Sequence, residues 1–116
     1  MKKVVSLVFA VFIYSSVFCQ QKVSIDSVSK FIGDSVSICS KVYGVKSLEN
    51  ETFINLGAPY PESPLTLVIF TKDIQNFKAT IESLYADKNI CVTGVIQLYK
   101  NKPEMIVSSP NQIIVQ

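Results

Sequence analysis

Apolar residues recur along this chain with two different periods. In "SVSICSKV" they alternate: Val36, Ile38 and Val42 share one side, and Ser37, Cys39 and Lys41 share the other. Such alternation marks a half-buried β-strand. "TFINL" repeats it, with Phe53 and Asn55 on one face and Thr52, Ile54 and Leu56 on the other. "LTLVIF" is apolar on both faces, which predicts a strand covered from both sides. "NICVTGVIQLY" alternates again. It sends Ile90, Val92, Ile96 and Leu98 inward and Cys91, Thr93, Val95, Gln97 and Tyr99 outward. "PEMIVSSPNQIIV" predicts a fifth strand, with a bulge or break at Ser108-Ser109-Pro110.

Elsewhere the period lengthens. Ile74, Phe77, Ile81 and Leu84 are spaced at three, four and three, which predicts one helix from Asp73 to about Tyr85. Asp73 suits its N-terminal dipole. Near the start, Asp26 is placed to cap a short helix over Ser27 to Ile32. Val28, Phe31 and Ile32 lie on its inner face, and Gly33 stops it. "YGVKSLENE" reads as a polar loop, "GAPYPESP" as a break and "KNK" as a tight turn. The expected order is helix, three strands, helix, two strands. Ser40 and Gly94 occupy matching inward positions of two strands, where a sharply coiled barrel needs a small residue.

Residues 1–19 stand apart. Met1-Lys2-Lys3 is basic, Val4 to Phe18 is almost unbroken apolar sequence, and Gln20-Gln21-Lys22 turns polar. This is the plan of a secretory signal peptide, with Val17 and Cys19 at the cleavage positions and residues 20–116 as one domain. The apolar segment is short for a membrane span, which needs roughly 20 residues. Lipidation at Cys19 is disfavoured by the bulk of Phe18 just before it. Of 11 basic residues, all lysines, two leave with this leader, and nine then face nine acids. The net charge of +2 therefore belongs to the targeting segment and gives no support for a nucleic-acid partner.

The chain contains no histidine and no arginine. It lacks the commonest general base, any recognisable nucleophile motif and a glycine-rich phosphate loop. Cys39 and Cys91 are isolated, without a CxxC spacing, so neither a metal site nor a cofactor is expected. An even pair outside the cytoplasm is read either as a disulfide or as two separate thiols. These features exclude the familiar hydrolytic and redox enzyme patterns and point to a binding module.

The segments "FIGDSVSICSKV", "TFINLGAPYPESPLTLVIF", "NICVTGVIQLYKNKPEMIV" and "SPNQIIV", in this order, resemble the OB fold. The resemblance spans about residues 25–115. It is nearest to small secreted bacterial OB domains, some of which accompany extracellular nucleases. It implies a mainly β, five-stranded Greek-key barrel with a short N-terminal helix and one helix between the third and fourth strands. It also makes the strands of Cys39 and Cys91 antiparallel neighbours. A cross-strand disulfide there would close a loop of about 50 residues and contribute about 3–4 kcal/mol.

OB domains bind across their second and third strands, between two loops, which here are Tyr43 to Glu51 and Lys100 to Pro103. Single-strand binders need aromatic faces for bases and cations for phosphates. Tyr43, Phe53, Phe70 and Tyr99 are candidate platforms, and Lys41, Lys46, Lys100 and Lys102 candidate cations. Asn55 is a candidate hydrogen-bonding group. The bland reading stands beside this one: the phenylalanines as core, the tyrosines as sheet cover and the lysines as solvated turn residues. Without arginine the bidentate phosphate contact is lost, so binding is expected to be weak and salt-sensitive. The leading expectation is an exported, non-enzymatic module, periplasmic or extracellular, that binds single-stranded nucleic acid. The alternative is a protein- or glycan-interaction module using the same face; a purely structural accessory barrel is the third reading.

Overall fold

The computed structural model describes residues 21–116; the expected signal peptide, and Cys19 with it, lies outside the described residues. The strands are β1 (Gln21–Lys22), β2 (Ser35–Ser47), β3 (Glu51–Leu56), β4 (Leu65–Phe70), β5 (Asn89–Tyr99), β6 (Lys102–Ile106) and β7 (Ile113–Val115). Two short helices, α1 (Thr71–Ile74) and α2 (Ile81–Tyr85), lie between β4 and β5.

Five of these strands close a ring. β2 pairs with β3, β3 with β4, β4 with β6, β6 with β5, and β5 returns to β2. Only the β4–β6 pair within this ring is parallel. The other two strands are short additions: β1 runs parallel to β2, and β7 antiparallel to β5. The sheet thus has seven strands where five were expected. The extra count at the C-terminus arises because the expected fifth strand is two strands with different partners. β6 joins β4 and β5, and after the break at Ser108–Pro110 the chain crosses to the other end of β5.

The inward positions of the ring form the core. Val36, Ile38, Val42, Ile54, Leu56, Leu67, Ile69, Ile90, Val92, Ile96 and Met105 have no exposed surface. The alternation in the sequence therefore located the inner face correctly, with one exception. Leu98, expected inward, is half exposed because β5 by then extends past the barrel end. Gly94 pairs with Val36 of β2, two residues before β5 takes up β6 at Ile96. A Cβ there would stand 2.9 Å from Met105 Cγ and Sδ, so a small residue is what lets these strands coil together. Ser40 does related work on β2: its hydroxyl accepts from Gly57 N–H at 3.0 Å and donates to Lys41 C=O at 2.9 Å.

Three local expectations change. The first helix is a 3-10 turn over Ile25–Phe31 capped by Ser24, not Asp26, and Ile32 is exposed. The single helix over residues 73–85 is instead α1 and α2 separated by turns. Thr80 starts a new helix by accepting from Ser83 N–H at 3.2 Å, and such a cap belongs at a helix end. The apolar stripe still packs inward, with Phe77, Ile81 and Tyr85 buried and Ile74 and Leu84 against the core. Phe77 and Tyr85 meet edge to face at 6.3 Å. Finally, the expected loop from Tyr43 is mostly strand. β2 runs to Ser47, and the register slips between Val42 and Gly44, leaving Tyr43 as a bulge. There β2 exchanges β5 for β3 as its partner. Cross-strand pairing outweighs the weak strand preference of Gly44, Lys46 and Ser47.

Cys39 and Cys91 lie directly opposite each other in the β2–β5 ladder and are joined by a disulfide on the outer face. Of the two readings of this pair, the structure shows the bonded one.

Candidate functional site

The site is built from outward-facing residues of the half of the barrel above the Tyr43 bulge. Registers across neighbouring strands align Gly44 with Asn55, Asn55 with Thr66, Thr66 with Glu104, and Glu104 with Gln97. One polar row therefore crosses the barrel face from β2 through β3, β4 and β6 to β5. On one side of it lie Phe53, Val68, Phe70 and Ile106. On the other stand Tyr99 and Lys102, a pair at the end of the β5–β6 hairpin.

Over this row opens a groove of about 420 Å³. Lys46, Lys100 and Lys102 supply its cations, Phe53, Tyr60 and Tyr99 its aromatic faces, and Asn55, Thr66 and Glu104 its polar floor. A smaller hollow of about 280 Å³ adjoins it, lined by Phe53, Phe70 and Tyr99 together with Gln97, Glu51 and Glu104.

Local folding explains each placement. Lys100 and Asn101 both have positive φ, 51° and 65°, the geometry of the tightest hairpin turn. That turn places Lys100 and Lys102 on either side of the hairpin tip. The β2–β3 connection is one residue longer and is closed by Leu48 N–H donating to Glu51 C=O at 2.8 Å. It is tied to α1 by the Thr71 hydroxyl, which donates to Glu49 C=O at 2.8 Å. The third wall is the β3–β4 connection, where the Tyr60–Pro61 peptide is cis. Lys102 reaches it twice: Nζ lies 5.3 Å from the Tyr60 ring centre and donates to Pro61 C=O at 3.3 Å. Lys100 Nζ lies 5.4 Å from the Tyr99 ring centre. These cation–π contacts hold both ring and cation at the groove's rim.

Asn55 is almost buried, at 7% exposure. Its Oδ1 accepts from Thr66 Oγ1 at 3.1 Å and from Ser63 Oγ at 3.3 Å. Glu104 is different. Burial first, and then the nearby Glu51 charge, raise its carboxyl above the ordinary glutamate value. The groove is thus cationic at its rim and acidic in its floor.

Of the residues expected to bind, Lys46, Asn55, Tyr99, Lys100 and Lys102 come together in the groove, and Phe70 lies in the adjoining hollow. Lys41 and Tyr43 do not join them. Lys41 lies on the stretch of β2 paired with β5, and its Nζ sits 5.4 Å over the Tyr43 ring. Three of the four lysines converge rather than all four. Sequence reasoning assigned no role to Tyr60, Thr66 or Glu104. Glu104 had a visible signal, since it alternates with buried Met105 and so faces outward. Tyr60 had none, because its placement depends on how a proline-rich connection folds back.

Among the described residues, no three His, Cys, Asp or Glu side chains gather where they could hold a metal ion. No described helix is long and apolar enough to cross a membrane.

The closed ring and its strand order define an OB fold, and comparison with solved structures agrees. The chain is similar to the S. pombe Stn1-Ten1 complex structure, with TM-score 0.59 and 15% identity over 83% of this chain and 77% of that one. It is similar to OBody AM3L15 bound to hen egg-white lysozyme, with TM-score 0.61 and 8% identity over 83% and 94%. Aspartyl tRNA synthetase from Entamoeba histolytica gives TM-score 0.60 and 16% identity over 83% of this chain. There the match spans only 21% of the enzyme's length. No protein-family model matches the sequence, and no curated protein matches it.

Proposed function

We propose that this chain is an exported, non-enzymatic OB module that binds single-stranded nucleic acid in the groove. One observation carries the reading: Lys46, Lys100 and Lys102 surround a groove that also presents Phe53, Tyr60 and Tyr99. Aromatic faces for bases beside cations for phosphates is the arrangement that single-strand binding requires. Names of fold neighbours such as a tRNA synthetase are in keeping with it. The disulfide fits an oxidising compartment and so supports export to the periplasm or beyond. The likeness to small secreted domains that accompany nucleases suits the same setting.

A second reading has its own support. Two carboxylates, Glu51 and Glu104, sit beside the cations, and an OB-fold neighbour is bound to a protein, lysozyme. A protein or glycan partner on the same face is therefore the alternative. Fluorescence anisotropy with labelled single-stranded DNA and RNA separates the two. We expect binding at low salt that weakens steeply toward physiological salt, and its loss in a Lys46→Ala, Lys100→Ala, Lys102→Ala variant. Absence of binding at low salt would reject the nucleic-acid reading and favour a protein or glycan.

A further inference from the structure

The lysines account for phosphates but not for the floor of the site. Glu104 stands half-buried in the middle of the polar row, between Thr66 on β4 and Gln97 on β5. Its half-buried carboxylate keeps an open side toward the hollow, and no buried side-chain oxygen lacks a partner among the described residues. Its surroundings are aromatic: Phe53, Phe70 and Tyr99 border the same hollow, and Glu51 adds a second negative charge there. Two carboxylates repel a phosphate. Aromatic walls around them hold a flat, uncharged ring that offers hydrogen-bond donors.

Resting on the nucleic-acid reading above, we infer that this hollow selects guanine, with Glu104 as the specificity-determining residue. The argument is one of donor and acceptor matching. An ionised carboxylate only accepts, through two oxygens side by side. Guanine presents two donors side by side on its Watson–Crick edge, N1–H and the N2 amino group. A carboxylate meets both in a bidentate pair, and bidentate charge-assisted bonds are the strong ones. Adenine and cytosine each offer one amino group next to a ring acceptor, which a carboxylate repels. Thymine and uracil offer one N–H between two carbonyls. Single-stranded bases are read at this edge because no partner strand covers it.

Gln97 completes the match. It is paired with Glu104 across the β5–β6 ladder and borders the same hollow. Its carboxamide supplies the donor that guanine O6 needs on the same edge. The backbone then runs toward Lys100 and Lys102 across the polar row, while Lys46 stands beside Phe53 on the neighbouring strand.

The test is anisotropy on a labelled oligothymidylate whose central position is guanine, hypoxanthine, adenine, cytosine or thymine. A single guanine in a thymine run avoids quadruplex formation. With the wild-type protein we expect the guanine probe to bind on the order of tenfold tighter than the thymine probe, in the range of one well-made base contact. Hypoxanthine, which lacks only the N2 amino group, falls between them. Glu104→Gln, folded by circular dichroism, narrows the guanine-to-thymine ratio to less than about twofold, because a carboxamide offers a single acceptor oxygen. Equal affinity for all five probes, with lysine-dependent binding intact, would overturn the guanine inference and leave the nucleic-acid reading standing. Equal affinity for guanine and hypoxanthine would also overturn it, without any variant. Absence of binding to every probe would remove both.

Discussion

Gln112 and Glu104 are both long polar side chains set among strands, and the fold treats them in opposite ways. Gln112 sits where the chain passes from β6 to β7. Its Oε1 accepts from the backbone N–H groups of Ser108 at 2.9 Å and Ser109 at 3.3 Å. Its Nε2 donates to Thr93 C=O at 3.0 Å and Ile106 C=O at 3.3 Å. Ser109 caps the 3-10 turn that follows, through Asn111 N–H at 3.2 Å. Both ends of the Gln112 carboxamide are thus spent on holding the break between two strands together. Glu104 has no such employment: burial raises its pKa, and no described group answers its charge. A saturated polar group explains itself by the fold, while a half-buried acid bonded to no other side chain is open to a ligand. The same contrast separates the disulfide-bonded β2–β5 face from the groove face.

The contrast can be broken from the structural side first. Cys39→Ser with Cys91→Ser opens a loop whose ends are 52 residues apart. The loss of stability is expected to be about 4 kcal/mol on chain entropy, with oligonucleotide affinity unchanged under native conditions. Urea unfolding measures the first and anisotropy the second. Thiol labelling of the unreduced, denatured protein should leave both cysteines unmodified. Next comes Gln112→Ala. It strips partners from the Ser108 and Ser109 N–H groups and should cost about 2 kcal/mol, again without loss of binding. A fall in affinity larger than the fall in stability would place the ligand at the wrong end of the molecule.

Groove variants should show the reverse. Lys46→Ala, Lys100→Ala and Lys102→Ala together should abolish binding, and each change alone should lower its salt dependence by about one phosphate contact. Their effect on stability should stay within about 1 kcal/mol, since exposed charges contribute little. The smallest effect is the most diagnostic. Raising a carboxyl pKa in the folded state means that the native protein binds the proton more tightly than the unfolded chain does. Stability therefore falls as pH rises from the ordinary value of 4.5 through the raised one, and the cost is fully present above it. Glu104→Gln removes that cost. Its melting temperature should exceed wild type slightly at neutral pH, and the gap should close on acidification below the ordinary carboxylate range.

Much of the barrel was legible because its inner face repeats every second residue. Val36, Ile38, Val92 and Ile96 each announced their side, and the antiparallel placement of Cys39 against Cys91 followed once the strand order was recognised. What escaped depended on partners distant in sequence. β2 continues through Gly44 and Lys46 because β3 is there to pair with it, and local preference does not record that. Thr80 interrupts a stripe that is helical in period but not in hydrogen bonding. In the site, Lys46, Tyr99, Lys100 and Lys102 were readable from loop position and residue type. Tyr60 was not, since it reaches the groove through the path of the proline-rich β3–β4 connection. Glu104 was written in the alternation of β6, yet an acid was not what a search for phosphate-binding residues sought.

The most direct test of the account is amide chemical-shift mapping of the protein titrated with a single-stranded oligonucleotide carrying one guanine. Shifts should concentrate at Lys46, Phe53, Asn55, Thr66, Tyr99, Lys102 and Glu104. Cys39, Cys91 and Gln112 should stay still. Shifts clustered around the disulfide or the β6–β7 break, or none at saturating oligonucleotide, would contradict the assignment of the groove.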